Sequence, residues 1–159
     1  MLTIRPATID DAALIRALIW ELAEFEKEPD EVRVTAEDIA RDGFGAAPRF
    51  RALIAEWNGQ PAAFALFFDY YSTWRGAGIY LEDLFVRPAF RGRGIGTALL
   101  ARVARVARDE RRVLLKWSVL NWNQGAIAMY KSIGGHFLDE WAEVMLTGDA
   151  LQRLADKAS

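Results

Sequence analysis

The sequence predicts an α/β (α+β) fold in which a mixed central sheet is flanked by helices. Apolar residues recur at helical spacing in Leu14, Ile15, Leu18, Ile19, Leu22 and Phe25, and again in Leu99, Leu100, Val103, Val106 and Ala107. Dense apolar runs of strand length lie between them, at 50–57, 61–71 and 78–86. The resulting order is strand, two helices, three strands, helix, strand, helix, strands. A chain of 159 residues with no internal repeat or low-complexity linker is expected to form one domain over 1–159.

Leu2–Arg5 reads as a short strand stopped by Pro6. Thr8 followed by Asp11 has the form of a capping box opening the first helix, which Pro29 ends. Thr35 with Asp38 opens a second, short helix that stops near DGFG (42–45). FRALIAEW (50–57) and PAAFALFFDYY (61–71) are strands joined through the hairpin turn Asn58-Gly59-Gln60. GIYLEDLFV (78–86) is a third strand, whose alternation is expected to send Glu82 and Asp83 to opposite faces. RVLLKWSVL (112–120) reads as a buried strand. Asn123 is placed to cap a helix over 124–132, closed by Gly134-Gly135. Two short strands around 136–147 and a terminal helix opened by Asp149 complete the expectation.

Composition excludes several functions. Hydrophobic residues make up 52 % and charged residues 26 %, the balance of a globular chain rather than a disordered one. No apolar run approaches the ~20 residues that span a bilayer. The first residues lack the n-region and h-region of a secretory signal, so no membrane partner and a cytoplasmic setting are expected. With no cysteine there is no thiol nucleophile, thiolate metal site or disulfide. His136 is the lone histidine and GxSxG is missing, which leaves no Ser–His–Asp arrangement and no metal ligands at suitable spacing.

A formal net charge of −2 speaks against a nucleic-acid partner. Charge is nevertheless uneven. Glu21, Glu24, Glu26, Glu28, Asp30 and Glu31 crowd one stretch; Arg87, Arg91, Arg93, Arg102, Arg105, Arg108, Arg111 and Arg112 crowd another. Solvated faces account for most such charges. The acidic stretch also suits a cation and the basic one an anion.

The basic stretch includes RGRGIG (91–96), set between a strand and a helix. A helix start presents unpartnered N–H groups and the positive end of the macrodipole, and glycines let main chain approach a ligand closely. The segment thus has the makings of a phosphate or pyrophosphate cradle. By spacing alone it fits an arginine-rich turn equally well; GxxxxGK[ST] and GxGxxG are both absent.

Arg91-Gly92-Arg93-Gly94-Ile95-Gly96 resembles the Q/R-x-x-G-x-G/A acetyl-CoA signature of the GNAT superfamily of N-acetyltransferases. ELAEFEK (21–27), DGFG (42–45), YSTW (71–74), IYLEDLFV (79–86) and NWNQGAIAMYKSIGG (121–135) are similar to its diamine (spermidine/spermine) and thialysine N-acetyltransferase branch. YSTW and LNWNQ lean to the thialysine side. The resemblance covers nearly the whole chain. It implies a GNAT fold, acetyl-CoA as co-substrate without a metal, a small cationic amine as acceptor and a homodimer.

It also implies roles. The acetyl-CoA site comprises Arg91, Gly92, Arg93, Gly94, Ile95, Gly96 and Thr97, with Asn123 nearby and the backbone of Leu84, Phe85 and Val86 along the pantetheine arm. Tyr130 is the implied acid for the departing thiolate. Its place on the stripe Ala126, Ile127, Tyr130, Ile133 also reads as core. Glu82 is the implied acceptor of the amine proton, directly or through water, or else an anchor for the cation. Phe25 and Glu26 are implied to line the amine site, an aromatic face and a carboxylate both suiting a cation. Asp83 is expected to be a structural acceptor. The function implied is acetyl transfer to a thialysine-like amine or polyamine by direct attack. Other acceptors (an amino acid, an aminoglycoside, a protein lysine) and a silent acyl-CoA-binding module are the alternatives.

Overall fold

The computed structural model describes residues 1–159, which divide into two compact units, Met1–Leu120 and Asn121–Ser159. In the first unit the elements run β1 (Leu2–Pro6), α1 (Ala12–Phe25), α2 (Ala36–Phe44), β2 (Arg51–Trp57), β3 (Gln60–Ser72), β4 (Gly76–Val86), α3 (Ile95–Asp109) and β5 (Leu115–Lys116). The second unit holds α4 (Gln124–Ser132) and α5 (Gly148–Ala155).

The five strands form one sheet in chain order, antiparallel from β1 to β4 and parallel between β4 and β5. A parallel step needs a crossover, and α3 supplies it. The mixed sheet is thus as expected, and its helices cover it through the periodic residues. Ile15 and Leu18 of α1 are fully buried with Ile39, Ile54, Phe64 and Phe85 in one cluster. Ile95, Leu99, Leu100, Val103 and Ala107 form the buried stripe of α3, while Arg102, Arg105 and Arg108 stay exposed.

The helix starts follow side-chain chemistry. Thr35 and Asp38 close a reciprocal capping box: the Asp38 N–H donates to Thr35 Oγ1 (3.1 Å), and the Thr35 N–H donates to Asp38 Oδ2 (2.9 Å). The Thr8 N–H donates to Asp11 Oδ2 (2.8 Å), but a 3-10 turn over Ile9–Asp11 precedes α1.

Two expectations are corrected. The strand read over 112–120 shrinks to Leu115–Lys116, which pairs with Ile79–Tyr80 alone. A bulge in β4 begins just past Tyr80 and turns that strand out of register, so parallel pairing ends there. The strands read around 136–147 are absent. That stretch has no ladder partner, and Trp141, Val144 and Met145 are exposed rather than packed on a sheet face.

Candidate active site

β4 organises the first unit's site. Its pairing with β3 slips by one residue: Leu66 faces Asp83 while Phe67 faces Leu81, leaving Glu82 as the extra residue of a β-bulge. Alternation breaks at that point. Glu82 and Asp83 consequently both line one cavity of about 500 Å³, which corrects the expectation that they serve opposite faces. Glu26, Glu28, Glu31 and Arg33 add charge to the lining; Ile19, Ala23, Val32, Val34 and Leu120 supply apolar wall.

The carboxylates feel one another. Burial pushes the Asp83 carboxyl up to about 7, and the charges of Glu82 and Glu26 add to the effect. Glu26 is raised too, chiefly by burial and then by the charge of Glu82. Glu82 itself is exposed at the cavity. Negative groups crowded in a partly desolvated space are relieved when a cation enters, so this part of the wall suits positive charge. Phe25 does not line it: its ring lies 4.8 Å from the Arg91 guanidinium. Tyr71 and Trp74 are exposed at the far end of the β3–β4 hairpin.

Beyond Tyr80 the edge of β4 opposite β3 carries no strand, so Leu84, Phe85 and Val86 lie on an open sheet edge. The Val86 carbonyl accepts a bond from Arg91 Nε at 3.0 Å, tying this edge to the following turn. There Gly92 (φ 76°) and Gly94 (φ 74°) are left-handed, and a Cβ on either would meet nothing within 4 Å. The Ala98 N–H donates to the Gly94 carbonyl (3.0 Å), the first bond of α3. The N–H groups of Ile95, Gly96 and Thr97 therefore lack intrahelical acceptors. Open space over glycine main chain, free helix-start donors and a helix dipole fit the diphosphate of coenzyme A. Arg91 also lies over Phe85 (5.8 Å), and Arg93 over Trp57 (5.1 Å) and Phe90 (5.7 Å), so both positive charges are held beside the turn.

In the second unit the Asn123 side chain accepts the Ala126 N–H at 3.3 Å, capping α4. Tyr130 lies in the last turn of that helix, half-buried, and burial raises its phenol above the ordinary value. The Gly135 N–H donates to the Tyr130 carbonyl (2.9 Å), closing the helix where the glycine pair predicts.

Sequence reasoning set Asp83 apart from Glu82 and passed over Arg33. Arg33 lies among charges that read as a solvated face, and only the fold shows that part of this stretch lines a cavity.

The acetyltransferase (GNAT) family model matches residues 13–134. Thialysine N-epsilon-acetyltransferase of Bos taurus is 39 % identical over 165 residues, spanning 97 % of this chain and 97 % of its own. Among solved structures, integron cassette protein VCH_CASS6 of V. cholerae superposes with TM-score 0.79 at 23 % identity over 98 % of each chain. A Clostridium acetobutylicum protein titled a predicted acetyltransferase, solved with acetyl-CoA, gives 0.75 at 21 % identity over 91 % of this chain and 96 % of its own. At these identities the two structures speak to the fold alone.

Proposed function

The chain belongs to the acetyltransferase (GNAT) family, and on that premise we propose that it moves the acetyl group of acetyl-CoA onto a primary amine of a small cationic molecule. Thialysine, named in the Bos taurus relative, is the first acceptor to consider and a polyamine the second. The family match runs across both units, which supports reading 1–159 as a single working domain. The observation that carries the proposal is the carboxylate-lined cavity at the β4 bulge. It lies on the same strand whose open edge leads to the glycine turn.

In this reading coenzyme A supplies an activated acetyl thioester, held by its diphosphate at the main-chain donors of Gly92 through Thr97 beside the Arg91 and Arg93 side chains, with Asn123 as a further proposed contact. An ammonium with a pKa near ~10.4 must lose a proton before it attacks. Glu82 accepts that proton, directly or through water, and Glu26 holds the cation. Asp83, titrating at about 7, is a stronger base than an ordinary carboxylate and shares the load. The amine nitrogen then bonds to the thioester carbonyl carbon. Main-chain N–H groups of the Leu84–Val86 edge are the donors for the carbonyl oxygen. As the carbon–sulfur bond breaks, the sulfur takes a proton from Tyr130, whose raised pKa keeps it in the protonated form. Transfer is direct, since the chain has no cysteine to carry the acetyl group. The reading includes a homodimer acting in the cytoplasm, and light scattering on the purified protein tests the dimer.

Thiol release from acetyl-CoA, followed with thialysine, lysine, spermidine or no amine, tests the proposal. Release that depends on an added amine supports it; release at one rate with every amine and with none overturns it.

A further inference from the structure

The cavity at the bulge is charged unequally around its wall. Glu26, Glu82 and Asp83 all line it, and their charges act on one another. The one basic group in the lining, Arg33, comes from the segment between the 3-10 turn Pro29–Glu31 and α2. Arg33 is exposed and takes part in none of the chain's ion pairs. A guanidinium in a cavity whose other charged groups are all acids, ion-paired with none of them, is an available anion partner.

Resting on the acetyl transfer proposed above, we infer that Arg33 binds the carboxylate of an α-amino-acid substrate, so that the site selects lysine-like amines over diamines lacking a carboxylate.

The three coupled acids suit any ammonium and cannot tell the two classes apart. A lysine-like molecule carries one ammonium at the end of its chain and, at the other end, an ammonium beside a carboxylate. Glu26, Glu82 and Asp83 match the first ammonium. Glu28 and Glu31, from the same stretch as Arg33, match the second. The guanidinium fork fits the carboxylate with two parallel bonds. A simple diamine offers Arg33 a cation or nothing, so one residue attracts one class and repels the other.

The test compares thialysine with bis(2-aminoethyl) sulfide, the same chain without its carboxylate, by thiol release from acetyl-CoA. The wild type should favour thialysine in kcat/KM by roughly tenfold, a charged hydrogen bond at an exposed rim. Arg33→Gln should lower kcat/KM for thialysine about tenfold, mainly through KM, and raise it for the diamine. Arg33→Lys should keep part of the preference. Arg33→Glu should invert it. A ratio unchanged by Arg33→Gln, or equal losses on both amines, overturns the assignment of Arg33 and leaves acetyl transfer standing. Absence of amine-dependent release in the wild type overturns acetyl transfer, and the inference with it.

Discussion

Arg87 grips Glu21 through two parallel bonds, Nε to Oε2 at 2.9 Å and Nη2 to Oε1 at 2.8 Å, while its Nη1 donates to the Pro61 carbonyl at 2.9 Å. The pair joins α1, which ends at Phe25 just before Glu26, to the residue between β4 and the glycine turn. Both side chains are part-buried, at 27 % and 32 % exposed, so removing one partner leaves the other short of a partner where water only partly replaces it. Arg87→Ala should destabilise the fold by about 2 kcal/mol, lowering Tm by roughly 4–8 °C. In a double-mutant cycle with Glu21→Ala, the coupling should exceed about 1 kcal/mol. Simple additivity would mean the pair contributes nothing jointly.

Asp83 and Asp11 should give pH profiles of opposite sign. The folded pKa of Asp83 lies above the usual carboxylate value, so its ionisation disfavours the fold as pH rises from about 4 through about 7. Asp83→Asn should therefore raise Tm at pH 8, with a gain on the order of 3 kcal/mol that vanishes near pH 4. Asp11 is held below its usual value, first by hydrogen bonds from Arg5 (2.8 and 2.9 Å) and further by the Thr8 N–H. Its stabilising contribution is present above the unfolded value and is lost as pH falls through the folded one. Asp11→Asn should lower Tm at pH 7, and the gap should narrow in acid. Thermal melts at three pH values check both signs.

The same titration predicts a kinetic limb. With Asp83 sharing the amine proton, log kcat/KM should bend near pH 7 on the acid side, and Asp83→Asn should move or remove that bend. A profile identical in variant and wild type would take Asp83 out of proton transfer.

Much of this molecule is legible in its sequence, for local reasons. The Thr35–Asp38 box, the Asn58-Gly59-Gln60 hairpin and the helix over 124–132 rest on neighbours within a few residues. The glycine turn is legible because left-handed backbone leaves a residue signature at Gly92 and Gly94. The bulge leaves none. Leu81-Glu82-Asp83 contains no glycine or proline, and the slip depends on how β3 and β4 register across their whole length. The union of Glu82 with Asp83 was for that reason invisible, as was the shortening of β5 that begins beside it. Arg33 was hidden differently: an exposed charge in a charged run announces a partner only once a cavity is known to form around it.

Gly94 provides a test of the turn separated from packing. Its φ of 74° penalises any Cβ, yet nothing within 4 Å would collide with one. Gly94→Ala should thus cost only about 1 kcal/mol of backbone strain. By tilting the N–H groups proposed to hold the diphosphate, it should raise KM for acetyl-CoA roughly tenfold and leave KM for the amine nearly unchanged. Equal effects on both would show that the turn acts through general stability.

Tyr130→Phe removes one hydroxyl from a half-buried ring and should leave the melting temperature within a few degrees. As the acid for the thiolate, its loss should lower kcat on the order of 100-fold with little change in acetyl-CoA affinity. Turnover equal to wild type would return Tyr130 to a packing role.

The central claim is that an amine is acetylated in the cavity at the β4 bulge, with coenzyme A held at the turn after that strand. A crystal structure with coenzyme A and thialysine tests it most directly. The account predicts the diphosphate on the main-chain N–H groups of residues 92–97 and the substrate's side-chain amine within hydrogen-bond reach of Glu82 or Asp83, directly or through one water. Coenzyme A bound away from that turn, or the amine outside the cavity, would contradict it.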